Sequence, residues 1–94
     1  MPPLEIDLSP QFRRRARQLS EDQRRQAASA ADLLREAFGS PHRHSGLGIR
    51  RLGGSLYEFR VGRDLRVVFE LRGSRAEFVM IGNHDDVRKY LKNI

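Results

Sequence analysis

The stretch Leu56-Tyr57-Glu58-Phe59-Arg60-Val61-Gly62-Arg63-Asp64-Leu65-Arg66-Val67-Val68-Phe69 decides how this chain is built. Tyr57, Phe59 and Val61 alternate with Leu56, Glu58 and Arg60, the period-two pattern of a strand with one buried face. Arg63-Asp64 makes a short polar turn, and the alternation then resumes. On the second strand Val67, Phe69 and Leu71 point inward, and Arg66, Val68, Glu70 and Arg72 point outward. An antiparallel hairpin follows, with its aromatics in a core and a carboxylate and arginines on its other face.

Outward from this hairpin the pattern continues in both directions. Three strands are predicted, Ser55 to Gly62, Leu65 to Arg72 and Arg75 to Gly82, the second turn being Gly73-Ser74. Asn83-His84-Asp85-Asp86 then caps a last short helix running through Leu91. Upstream, residues 42–48 read as a loop, and Gly39-Ser40-Pro41 stops the helix before it. Ser20 caps that helix, with Gln23 as its capping-box partner, and Ala27, Ala30, Ala31, Leu34 and Phe38 form its apolar stripe. A shorter helix opens at Ser9-Pro10 with Phe12, Ala16 and Leu19 on one face and Arg13, Arg14, Arg15 and Arg17 over much of the rest. Leu4 to Leu8 alternates as a strand. The expected fold is a single α+β domain over residues 1–94 of order β-α-α-β-β-β-α. Its two N-terminal helices pack on one face of a small antiparallel sheet and leave the other face open.

Composition narrows the chemistry. Hydrophobic residues make up 38% and charged residues 32%, which suits a small folded globule rather than a disordered chain. Cysteine is absent, so disulfides and thiolate catalysis are excluded. No apolar run approaches the roughly 20 residues that span a bilayer. Met-Pro-Pro-Leu-Glu carries no secretory pattern, so the expected compartment is the cytoplasm. The formal net charge is +6, and every one of the 18 basic residues except Lys89 and Lys92 is Arg. A guanidinium fork grips phosphate at two points and stacks on bases, so a nucleic acid is the expected partner. An Arg-rich codon bias would produce the same count.

The quoted stretch resembles the signature of the RelE/ParE toxin superfamily, a Leu-Tyr-Glu-hydrophobic-Arg strand followed by a turn and an Arg-Val-hydrophobic-aromatic strand. Ile81-Gly82-Asn83-His84-Asp85-Asp86-Val87 is similar to the segment that closes these toxins. The resemblance covers residues 47–92 well and the helical half in outline. It implies the microbial-RNase-like fold of the RelE/YafQ-like ribosome-dependent mRNA interferases, with a cognate antitoxin, messenger RNA and the ribosome as partners. The same scaffold hosts gyrase-inhibiting toxins, and a non-catalytic RNA-binding or decayed relative would keep the same charge.

Metal-free RNA cleavage needs a base for the 2′-OH, cations around the scissile phosphate and a proton donor for the leaving 5′-oxygen. The resemblance puts Arg66 and Arg60 at the cationic positions and His84 at the place of the proton donor. Glu58 and His44 are the candidate proton-transfer partners, and Tyr90 falls on the terminal base-stacking position. Many relatives instead carry an aromatic where this chain has Arg88. Arg50, Arg51, Arg63, Arg88 and Lys89 are the remaining RNA-binding candidates, equally explicable as solvated charge. His42 and His44 lack a third obvious ligand, so no metal or other cofactor is expected.

Overall fold

The structure is a computed structural model and describes residues 4–37 and 47–94. The elements run β1 (Glu5–Leu8), α1 (Pro10–Ala16), α2 (Glu21–Ala37), β2 (Arg50–Gly53), β3 (Leu56–Val61), β4 (Leu65–Arg72), β5 (Arg75–Gly82) and α3 (His84–Lys92). They form a five-stranded sheet of order β1-β5-β4-β3-β2. The β3–β4–β5 meander is antiparallel as expected. Two features depart from the sequence reading. β1 pairs parallel with β5, so the sheet is mixed rather than antiparallel. The segment Arg50–Gly53, expected to lie outside the sheet, adds an antiparallel edge strand beside β3. Charged side chains on so short a strand hide its signal while protecting an exposed edge.

Helix boundaries follow their caps. Ser9 Oγ accepts the Phe12 N–H at 3.1 Å with Pro10 opening α1. Ser20 and Gln23 exchange backbone-to-side-chain hydrogen bonds of 3.0 and 3.1 Å at the start of α2. Phe38 and the stop at Gly39-Ser40-Pro41 lie outside the described residues.

The main core lies between α1, α2 and the inner face of the sheet. Leu34, Phe59 and Phe69 are fully buried there, with Phe12, Ala30, Val61, Val67 and Phe78 around them. The rings interlock: Phe59–Phe69, Phe59–Phe78 and Phe12–Phe78 centroids lie 5.9, 5.6 and 5.5 Å apart. In β5 the pairing passes from Val68↔Met80 to Phe69↔Phe78, so Val79 is an extra residue in a bulge. That bulge lets Phe78 and Ile81, three apart, both face the main core, while Val79 and Met80 both face the opposite side.

The outer face is not left open. Val87 of α3 packs onto Val68 and Met80, with Leu52, Leu56, Val79, Tyr90 and Leu91 around them in a second, smaller core. The reading of helices on one side alone is therefore corrected: α1 and α2 cover one face, and α3 covers part of the other. The apolar run of the bulge and the outward Val68 give α3 a surface to bury against.

Phe69→Ala should cost about 3–5 kcal/mol, because it opens the centre of the aromatic layer. Val68→Ala, in the smaller core, should cost clearly less. Denaturant midpoints at unchanged m-value provide the comparison, and equal losses would contradict the division into a main and a minor core.

Candidate functional site

Sheet register brings the polar residues of the outer face into two neighbouring rows. Arg60 pairs with Arg66, and Arg66 pairs with Gly82. Two residues further along the strands, about 6–7 Å away, lies the row Arg50–Glu58–Val68–Met80. Gly82 is the last residue of β5, and His84 opens α3 two positions later. One end of the outer face thus gathers Arg50, Glu58, Arg60, Arg66 and the start of α3.

Glu58 is the centre of this group, and its position corrects the sequence reading, which left it exposed. It is only 2% exposed. Arg50 Nη2 donates to Glu58 Oε1 at 2.9 Å, and Arg66 Nη1 donates to Oε1 and Oε2, each at 3.2 Å. A buried carboxylate demands such partners, since an unpaired buried charge costs several kcal/mol. One carboxylate neutralises only one of two guanidiniums, so the cluster retains net positive charge. The arginines differ in access: Arg50's side chain is 66% exposed and Arg66's 28%. Arg66 is therefore held in place by Glu58, with part of its fork still facing solvent.

Arg60 is exposed, and among the described residues it has no ion pair. Its side chain lies over Gly48, where an added Cβ would come within 3.3 Å of Nε. Gly48 has φ +62°, so glycine is favoured there on backbone grounds as well. The Arg60 N–H donates to the Leu47 carbonyl at 2.7 Å. Arg60 also lines a groove of about 380 Å³ with Gln26, Ser29, Leu33 and Gly62. It thus stands at the edge between the Glu58 cluster and the α2 side.

His84 is exposed at the first turn of α3. Asn83 is the N-cap: its Oδ1 accepts the Asp86 N–H at 2.8 Å, and Asp86 Oδ2 accepts the Asn83 N–H at 3.0 Å. The cap expected from the sequence is present. Tyr90 lies elsewhere, half-buried in the outer core, where burial and then the Glu70 and Glu77 carboxylates hold its phenol above the ordinary value. Glu70 is four residues along β4 from Arg66, so Tyr90's carboxylate neighbours mark the far end of the strand.

The remaining candidates scatter. Arg51 Nε donates to the Gly54 carbonyl at 2.8 Å and ties the turn between β2 and β3. Arg63 is exposed in the β3–β4 turn, and Arg88 and Lys89 are exposed on α3. His42 and His44 lie outside the described residues. Among the described residues, no cluster of His, Asp and Glu is arranged to hold a metal ion, and no helix is long and apolar enough to cross a membrane. Sequence reasoning named Arg50 as a phosphate anchor or a solvated charge and missed its pairing with Glu58, because β2 itself was missed.

No protein-family model matches the chain, and no curated protein matches it. Solved structures do. The archaeal RelE–RelB complex from Pyrococcus horikoshii aligns with a TM-score of 0.70 at 17% identity, over 87% of this chain and 96% of that one. A mutant of YafQ from E. coli aligns at 0.65 and 16% identity, over 89% and 97%. The YoeB/ParE toxin from Agrobacterium tumefaciens aligns at 0.61 and 21%, over 86% and 99%. The chain has the fold of these toxins, along nearly their whole length.

The raised Tyr90 phenol gives a testable pH dependence. The folded protein keeps a proton that the unfolded chain releases above about pH 10. This contribution to stability is fully present below that pH and is lost as pH rises through the folded-state value. Tyr90→Phe should therefore show a shallower alkaline fall in melting temperature than wild type. Equal slopes above about pH 10 would put the phenol in free solvent.

Proposed function

We propose that this protein is the toxin of a toxin–antitoxin pair and cleaves messenger RNA on the ribosome without a metal. The observation that carries the reading is the convergence of Arg66, Arg50 and Arg60 at the end of the sheet where His84 begins α3. Its support is that this cluster occurs on a fold shared with RelE, YafQ and YoeB/ParE toxins.

The reaction assigns each group a task. The substrate's 2′-oxygen attacks the adjacent phosphorus, the P–O5′ bond breaks, and a 2′,3′-cyclic phosphate forms. Negative charge grows on the phosphoryl oxygens, where the open part of the Arg66 fork and the exposed Arg60 stabilise it. His84 gives its proton to the departing 5′-oxygen, a role suited to an imidazole near neutral pH. A base takes the 2′-OH proton; His44 and Glu58 are its candidates. Glu58 already accepts from both arginines, so acting as base requires loosening that contact. DNA lacks the 2′-OH and is not a substrate for this chemistry.

Partners follow from the same charge. The solved relatives include RelE with RelB and YoeB with YefM. We infer that this chain likewise pairs with an antitoxin, whose acidic residues meet Arg60 and the exposed head of Arg50.

Primer extension on messenger RNA after induction should reveal cuts within codons. Arg66→Ala should abolish them, with a stability loss of about 1–3 kcal/mol from the hydrogen bonds to Glu58. His84→Gln should lower cleavage on programmed ribosomes about 100-fold while ribosome binding persists. Intact messenger RNA together with inhibited supercoiling by purified gyrase would replace this reading with that of a gyrase poison.

A further inference from the structure

Arg15 does something that the neighbouring arginines do not. Arg13, Arg14 and Arg17 are exposed, whereas the Arg15 side chain is 34% exposed and reaches across to the end of the sheet. Its Nε donates to the Ile81 carbonyl at 2.7 Å, and its Nη2 lies 3.2 Å from Asp86 Oδ2. That same carboxylate oxygen accepts the Asn83 N–H in the cap of α3. One guanidinium therefore grips both sides of the β5–α3 junction: the strand before Gly82, and the first turn of the helix after it. His84 lies between the two points of attachment.

Gly82 shows how tightly this junction is closed. A Cβ there would come within 2.6 Å of Asp86 Cβ and 3.0 Å of Arg15 Nη2. The helix start can approach the strand end this closely only because residue 82 has no side chain. A capping box alone would set the direction of α3. The added contact to α1, 66 residues away in sequence, fixes the junction relative to the sheet that carries Arg66.

We propose that Arg15 is a positioning residue for His84: through the Ile81 carbonyl and Asp86 it sets where the imidazole stands relative to the arginine row. This rests on the reading of His84 as proton donor. Proton transfer tolerates little misplacement, and a displacement of about 1 Å can cost up to about 100-fold in rate. A cation on α1 thus controls a group on α3 without touching the substrate.

The test is a double-mutant cycle in single-turnover cleavage on programmed ribosomes, using wild type, Arg15→Ala, His84→Gln and the double variant. Arg15→Ala should slow cleavage by about 10- to 100-fold with ribosome affinity unchanged, and should cause no further loss in the His84→Gln background. The same fractional loss in both backgrounds overturns the proposal. Asp86→Asn keeps an acceptor for the Asn83 N–H but removes the charge facing Arg15. It should reproduce the Arg15→Ala effect, and it serves if Arg15→Ala does not fold. A second readout needs no catalysis: the His84 imidazole NMR signals, assigned by their absence in His84→Gln, should shift in Arg15→Ala. Unchanged signals overturn the proposal. If wild type cuts no messenger RNA, the nuclease reading fails, and the imidazole signals still decide the role of Arg15.

Discussion

The register of three aromatic residues governs the rest of this molecule. Phe59, Phe69 and Phe78 stand on adjacent strands and interlock beneath α1 and α2. Because side chains alternate along a strand, placing these rings inward sends Glu58 and Arg66 outward. A slip of one residue would bury the charges beneath the helices and expose the rings, so burial of the aromatic layer enforces the polar arrangement. The bulge at Val79 extends the same logic to the end of β5, keeping Ile81 in the core and bringing Gly82 opposite Arg66.

On the outer face a small apolar core and a buried ion cluster lie side by side. The surroundings of Val68, Met80 and Val87 exclude water next to Glu58, which raises the importance of its arginine partners. The arrangement costs desolvation of a carboxylate, and hydrogen bonds from two strands offset that cost. Its gain is order: long arginine side chains on a free surface sample many rotamers, and those tied to Glu58 do not. Any anion that approaches such a cluster meets cations that are already arranged.

Much of this was legible in the chain. Alternation in β3 and β4 identified which residues face which side, and Ser9-Pro10, Ser20 with Gln23, and Asn83 with Asp86 marked the helix starts. The missed features are those that depend on pairing between elements rather than on a pattern within one. β2 offers only Arg50, Arg51 and Leu52 before its glycines, too little apolar pattern to declare a strand until β3 pairs with it. Burial of Glu58 follows from cations on two neighbouring strands, and a carboxylate in alternation with aromatics reads as exposed without them. The parallel pairing of β1, and the reach of Arg15 to Ile81, join the two ends of the chain, and no local pattern encodes either.

The pairing of β1 with β5 also bears on when the fold is completed. Glu5 lies opposite Arg75, so the first strand waits for almost the whole chain before it finds its partner. Contacts of such sequence separation form late, because the closure entropy of the intervening loop must be offset first. α1 is connected directly to β1 and packs through Phe12 on Phe78, so it too settles only once β5 is present. A nascent chain therefore carries the arginines of β3 and β4 before β5 is present to complete the sheet around them. The order in which the strands are made thus sets the order in which the polar cluster can be assembled.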